Sequence, residues 1–279
     1  MQNIIAIICD CDETLSPDTT DYLLKRNGVE TTKFWKEINR YIKEGWDPPI
    51  AWMTRMLSLM NNGKIKQNTN QKLTEFGKEI EPFPGVPYFV SQLQKILAGG
   101  RYSKADIELE TYIISSGIED LIRGTKFAKS FTGIFGSRFY EGKTSRRIES
   151  IKSTITFTEK TKFLYAINKG ISGENLRSNP FLVNNRVKKD ERRIPFNNMI
   201  YLGDSIGDVP CFSAVRHFGG DGIGILTRNK ISRGYKLAKE KRSTAGPYSP
   251  DYKKGSDLRM VLDEMIKTIA NRILDENQA

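Results

Sequence analysis

Two carboxylates sit two positions apart at Asp10 and Asp12, directly after the apolar run 4–8, and Thr14 follows. In an extended chain residues i and i+2 share a face, so both carboxylates are expected to face one small volume. At ~4 Å and an effective dielectric near 20, two unit charges repel by about 4 kcal/mol. Such a pair calls for a cation, a proton, or both. A second acidic pair, Asp204 and Asp208, follows the apolar stretch 199–202 and Gly203. Ser115-Ser116-Gly117 ends another apolar stretch. Lys160 opens a predicted helix, where a positive charge opposes the helix dipole. It makes more sense facing carboxylates or a phosphate, with Lys162 as the alternative. Hydroxyls and a lysine beside carboxylates suit the binding of an anion such as phosphate.

The elements that would position these groups can be read along the chain. The run 4–8 is short, rich in Ile and without polar alternation, as in a parallel strand buried on both faces. Ligands in open α/β sheets bind at the carboxyl ends of such strands, which is where Asp10 and Asp12 lie. Residues 19–80 read as helical, with helices at 31–44, from Pro48 to about 60, and at 69–80. All three tryptophans, Trp35, Trp46 and Trp52, fall in this block. It therefore reads as a small all-helical second domain over 16–82, set into a core of 1–15 and 83–279. A helix at 86–98 follows, then a strand at 107–114. Ser115-Ser116-Gly117 is expected to form a loop ahead of a helix near Ile118, offering an anion its backbone N–H groups. A hairpin with strands 131–140 and 151–157, a surface loop at 171–198, a strand at 199–202, a last strand at 222–226 and a C-terminal helix at 257–273 complete the reading. The fold class is α/β, a mostly parallel sheet core with a small all-helical domain.

Composition limits the function. The 279 residues carry 44 Lys+Arg against 33 Asp+Glu, a net charge of +11. This favours anionic partners, either small phosphorylated molecules or nucleic acid. Basic runs at 186–193 and 228–243 support the latter, without a nucleic-acid module or a basic–aromatic repeat. His217 is the sole histidine, which excludes a multi-histidine metal site. Cys9, Cys11 and Cys211 are too few and of the wrong spacing for a disulfide framework or a zinc site, and read as core residues. No run of 18 apolar residues exists to form a transmembrane helix, and the N-terminus lacks the basic region of a signal peptide. A cytoplasmic protein is expected.

The order strand-Asp-x-Asp-x-Thr, strand-Ser, helix-Lys, strand-Gly-Asp-x-x-x-Asp resembles the haloacid dehalogenase-like (HAD) superfamily of phosphotransferases, from Ile4 to Leu226. The stretch from Arg193 to Asp204 is similar to an uncharacterised bacterial branch of its phosphatase-type members. The resemblance implies a Rossmann-like sheet with 16–82 as a cap inserted after the first strand, and Mg2+ as cofactor. It implies Asp10 as nucleophile, Asp12 as general acid and base, Ser115 with Ser116 and Lys160 as phosphate-binding groups, Asp10, Asp204 and the main-chain carbonyl of Asp12 as metal ligands, and Asp208 as support. Dehalogenase members lack the acid at the position of Asp12, so its presence implies phosphate chemistry. Glu13 stands where glycine is commoner. The expected activity is that of a phosphatase for a small phosphorylated metabolite, enclosed by the cap. The alternatives are a phosphomutase and a nucleic-acid-binding end-phosphatase.

Overall fold

The computed structural model describes residues 2–278. In chain order the regular elements are β1 (Ile4–Cys9), α1 (Thr19–Arg26), α2 (Thr31–Lys43), α3 (Pro48–Asn61), α4 (Asn70–Gly77), α5 (Val86–Leu97), α6 (Gly100–Lys104), β2 (Glu108–Ile118) and α7 (Glu119–Gly124). There follow β3 (Gly133–Glu141), β4 (Ile148–Ser153), α8 (Lys160–Lys169), α9 (Gly173–Ser178), β5 (Met199–Gly203), α10 (Val209–His217), β6 (Asp221–Ile225), α11 (Ile231–Lys239), β7 (Ala245–Tyr248) and α12 (Asp257–Gln278). The sheet order is β4-β3-β2-β1-β5-β6-β7, with every pairing parallel except β3 with β4.

β1 is the central strand, and its sequence explains why. Ile5, Ile7 and Cys9 face one layer with α5 and α12, while Ala6 and Ile8 face the other with α8 and α10. With helices on both faces there is no wet side, so the run has no polar alternation. Full burial of each of these isoleucines contributes roughly 1.5–3 kcal/mol. The pairings Ile8 with Tyr112 and Ile8 with Tyr201 align the carboxyl ends of β1, β2 and β5.

Helices α1–α4 fill the chain between β1 and α5. Asp18, Asp47 and Thr69 cap α1, α3 and α4 by accepting backbone N–H bonds, and the two prolines at the start of α3 need no intrahelical donor there. Leu24, Phe34, Met53, Met56 and Leu73 form their own apolar cluster, which continues into Ile118, Leu121, Phe139 and Ile148 of the sheet layer. α4 lies so close to α7 that a Cβ on Gly77 would stand 2.1 Å from the Leu121 carbonyl. The chain leaves the core and returns to it at one point, where the Phe83 N–H donates to the Leu15 carbonyl at 2.9 Å. Buried Tyr252 spans the same point: its hydroxyl donates to the Thr14 carbonyl at 2.9 Å and its N–H to the Pro84 carbonyl at 2.8 Å.

Several expectations need correction. The helical block has four helices, since α1 precedes the three read from the sequence. Ser115, Ser116 and Gly117 are not a loop: β2 runs through them to Ile118, with an irregular register against β3 between Ile114 and Ile118. The return strand of the hairpin is Ile148–Ser153, shorter and earlier than 151–157. The stretch 171–198 contains α9 and short 3-10 turns. β6 is not the last strand, because the basic segment after it forms α11 and β7. α12 extends past 273 to Gln278. No helix among the described residues is long and apolar enough to cross a membrane.

Candidate active site

Asp10 follows β1 directly, and its N–H donates to the Leu202 carbonyl of β5 at 2.8 Å. The chain then turns sharply. The Leu15 N–H reaches the Cys11 carbonyl at 2.8 Å and the Glu13 N–H the Ser16 carbonyl at 2.7 Å. Glu13 takes φ +59°, the left-handed region. Glycine adopts that conformation freely, whereas a side chain makes it costlier by about 1–2 kcal/mol. That is the physical sense of the glycine commoner at this position.

Lys160 is the first residue of α8 and is buried, with Nζ 3.0 Å from Asp10 Oδ1 and 2.7 Å from Asp208 Oδ1. The unfavourable helix position is thus offset by two carboxylates. Lys162, the alternative, pairs instead with the neighbouring Glu159. Asp208 is fully engaged. Oδ1 accepts bonds from Lys160 and from the Tyr201 hydroxyl at 2.7 Å, and Oδ2 accepts the Ser205 N–H at 3.1 Å and hydroxyl at 2.9 Å. It acts as a buttress that aims the ammonium at Asp10. A Cβ on Gly203 would lie 2.5 Å from the Asp208 carboxyl carbon, so glycine is needed where β5 ends.

Asp12 Oδ1 accepts the Thr19 N–H at 2.7 Å, while a Cβ on Gly117 would stand 2.7 Å from Oδ2. Ser115 is fully buried, and its hydroxyl accepts the Gly117 N–H at 2.9 Å. The extended β2 brings Ser115 and Ser116 beside both aspartates in one cleft of about 140 Å³, which also includes Lys160 and Asp204. Ligand pockets for drug-sized molecules run to roughly 300–1,000 Å³, so this cleft suits a small ligand. Larger cavities of about 380 and 370 Å³ flank Phe135 and Arg177 and contain none of these carboxylates.

The electrostatics are one-sided. Burial pushes Asp10 up to about 6, with Lys160 pulling down and Asp208 pushing up. Burial, then Asp18 and Asp10, push Asp12 up to about 7 against the Thr19 amide. Burial, then Asp208 and Asp10, push Asp204 up to about 8 against Arg233 and Lys160. Burial lowers Lys160, but Asp10 and Asp208 outweigh it and hold the ammonium above its ordinary value. Carboxylate oxygens of Asp10, Asp204 and Asp208 lie within 4.8 Å of one another. This donor set is all hard oxygen and only partly neutralised by Lys160, which fits Mg2+ or a similar cation. With Asp208 engaged, Asp10 and Asp204 are the carboxylates left to hold it. The Asp12 carboxylate is not among the three.

Sequence reasoning missed Asp18, Phe157, Ser205, Gly207, Lys230 and Arg233 of this cleft. Lys230 Nζ lies 3.3 Å from Glu13 and 3.5 Å from Asp18, and Arg233 Nη1 lies 3.8 Å from Asp204 Oδ2. Both belong to the basic run 228–243, whose position opposite the acidic loops has no local signal. Among the described residues, α1–α4 place no side chain in the cleft, and Asp18 caps the first of them.

No protein-family model matches the chain. An uncharacterized protein of Borreliella burgdorferi is 27% identical over 237 residues, covering 77% of this chain and 80% of that protein. A HAD family hydrolase from Salmonella enterica serovar Typhi superposes with a TM-score of 0.54 at 16% identity, over 86% of this chain and 65% of that one. The chain has the fold of the HAD family hydrolases. Phosphoserine phosphatase, solved as a phospho-aspartyl intermediate analogue, shares this HAD fold at TM-score 0.52 and 16% identity, over 94% of this chain and 99% of that one. A probable phosphoserine phosphatase from Vibrio cholerae gives 0.54 at 13% identity, over 99% of this chain and 67% of that one.

Proposed function

We propose that this chain is a cytoplasmic, Mg2+-dependent phosphatase that hydrolyses a small phosphorylated metabolite through an aspartyl-phosphate on Asp10. The observation that carries this reading is Asp10 at the end of β1, 3.0 Å from buried Lys160 and within 4.8 Å of Asp204. The HAD phosphatase folds above support it, one of them captured as a phospho-aspartyl analogue. The three cysteines are free, which suits a reducing compartment.

In the first step an Asp10 carboxylate oxygen attacks phosphorus, and the bond from phosphorus to the leaving oxygen breaks. Asp12, raised to about 7, gives its proton to that oxygen. In the second step Asp12, now a carboxylate, takes a proton from water. The water oxygen attacks phosphorus, and Asp10 is released as the leaving carboxylate. Lys160, Ser115 and Ser116 hold the phosphoryl oxygens. Mg2+, when bound by Asp10, Asp204 and the Asp12 main-chain carbonyl, supplies positive charge for the transferring oxygens. Residues 16–82 serve as the cap, and a small substrate follows from the size of the cleft.

The test is hydrolysis of p-nitrophenyl phosphate with Mg2+, read as released inorganic phosphate. EDTA should abolish it, and Asp10→Asn should lower it by more than about 10⁴-fold. Activity that survives both controls sinks the mechanism. Release of phosphate without a bisphosphate activator separates a phosphatase from a phosphomutase.

A further inference from the structure

Lys160 is buried between Asp10 and Asp208, with 3% of its side chain exposed, and the phosphatase reading gives it to the phosphoryl group. That leaves two other cations in the cleft, Lys230 and Arg233, which the phosphoryl chemistry does not use. Lys230 stands just before the nine-residue α11, and Arg233, three residues on, lies in its first turn. Residues so spaced share a helix face, and a cation there opposes the dipole. Their carboxylate contacts, at 3.3, 3.5 and 3.8 Å, are long. Charge-assisted hydrogen bonds usually close to about 2.7–2.9 Å. The side chains are 23% and 50% exposed, so their donors remain open to a ligand. Asp204, the partner of Arg233, is also the carboxylate that the phosphatase reading assigns to Mg2+, which frees the guanidinium fork for another oxyanion. Elsewhere the mouth offers Phe157, a half-exposed ring packed on Gly207 with nothing to pair with a charge.

Resting on the phosphatase reading, we propose that Arg233 and Lys230 are specificity-determining residues that bind a second anionic group, carboxylate or phosphate, on the leaving group of a small substrate. The cleft of about 140 Å³ keeps this group within a few bonds of the phosphorus. Substrate choice then rests on α11 of the core rather than on helices α1–α4.

The test compares phosphoglycolate with ethyl phosphate, which differ in the charged end alone, and adds ethane-1,2-diol bisphosphate. The wild-type protein with Mg2+ should prefer the doubly anionic esters in kcat/KM by about 10–100-fold, the range expected for one or two hydrogen bonds between charged groups. The better of the two esters identifies the second anion as carboxylate or phosphate. Arg233→Ala and Lys230→Ala should each shrink that ratio, mainly through KM, and Arg233→Lys should restore part of it. A wild-type ratio near one, or a ratio that neither alanine variant changes, overturns the proposal. Calorimetric titration of Asp10→Asn with the same esters separates this outcome from failure of the phosphatase reading. If the wild-type protein hydrolyses no ester, the chemistry is wrong. Tighter binding of phosphoglycolate that Arg233→Ala abolishes would still support the anion site, and equal binding of the two esters would end it.

Discussion

Lys160 and Arg193 each hold carboxylates from distant parts of the chain, near opposite ends of the sheet. Arg193 meets Glu110 of β2 with two guanidinium nitrogens, and the Tyr112 hydroxyl donates to the same carboxylate. Burial raises Glu110, but the bonds from Arg193 and Tyr112 and the guanidinium charge outweigh it and hold the carboxyl below its ordinary value. Around Lys160 the balance is reversed, and Asp10, Asp12 and Asp204 all rise. One region has its charges satisfied and serves the fold. The other carries surplus negative charge that the fold alone does not require. On the phosphatase reading the site takes up a cation and a proton, and it is left incomplete without them.

Three measurements sharpen or break this contrast. The largest effect should come from Lys160→Met, which leaves Asp10 and Asp208 buried without their cation. Urea unfolding at pH 7 should show a loss of about 3–5 kcal/mol, as for a broken buried pair. A loss below 1 kcal/mol would mean that the carboxylates are answered in another way.

Asp204→Asn should act in the opposite direction. A carboxyl raised to about 8 in the folded protein, against ~3.9 unfolded, binds its proton more tightly when folded. The penalty is absent below the unfolded value and grows until pH passes the folded one. In EDTA the wild-type protein should therefore lose stability between about pH 4 and 8. The variant should lose less, and be more stable at pH 9 by about 0.5–2 kcal/mol, the usual trade between a strained site and stability. Equal pH slopes would break the comparison.

Arg193→Ala should cost least, about 1 kcal/mol or below after screening by solvent, because the guanidinium is 42% exposed. Glu110 is depressed, so its contribution is present above the ordinary carboxylate range and lost as pH falls through the folded value. The difference between wild type and variant should vanish in acid. A difference that persists below pH ~3, where carboxylates are protonated, would assign it to packing instead.

The sequence showed much of this because the decisive groups lie at strand ends. The run before Asp10 states its own burial on both faces, and Gly203-Asp204 follows a second such strand. Lys160 was legible because a lysine at a helix start is out of place there. What was hidden depends on tertiary pairing. Ser115-Ser116-Gly117 has turn composition, yet β2 runs through it to Ile118, tied to β3 where the Ser137 hydroxyl donates to the Ser116 carbonyl. β7 contains Gly246 and Pro247, residues that weaken a strand pattern and are tolerated at a sheet edge. Lys230 and Arg233 resembled any other cations of a basic segment until the fold set α11 opposite Glu13, Asp18 and Asp204.

The 2.9 Å hydrogen bond between Leu15 and Phe83 has a consequence for how such a chain can be assembled. The ends of the helical block meet, so the block adds no span that the core must bridge. A short turn joining Leu15 to Phe83 would close the strand-to-helix connection with β1, β2 and Asp10 in place, while Asp12 would lose the Thr19 N–H that holds it. Tyr252 would still grip both sides of the junction through Thr14 and Pro84. Beyond the turn that holds Asp12, the block is therefore geometrically exchangeable: helices of another length or number can be carried on the same stalk while the strand ends beneath keep their register.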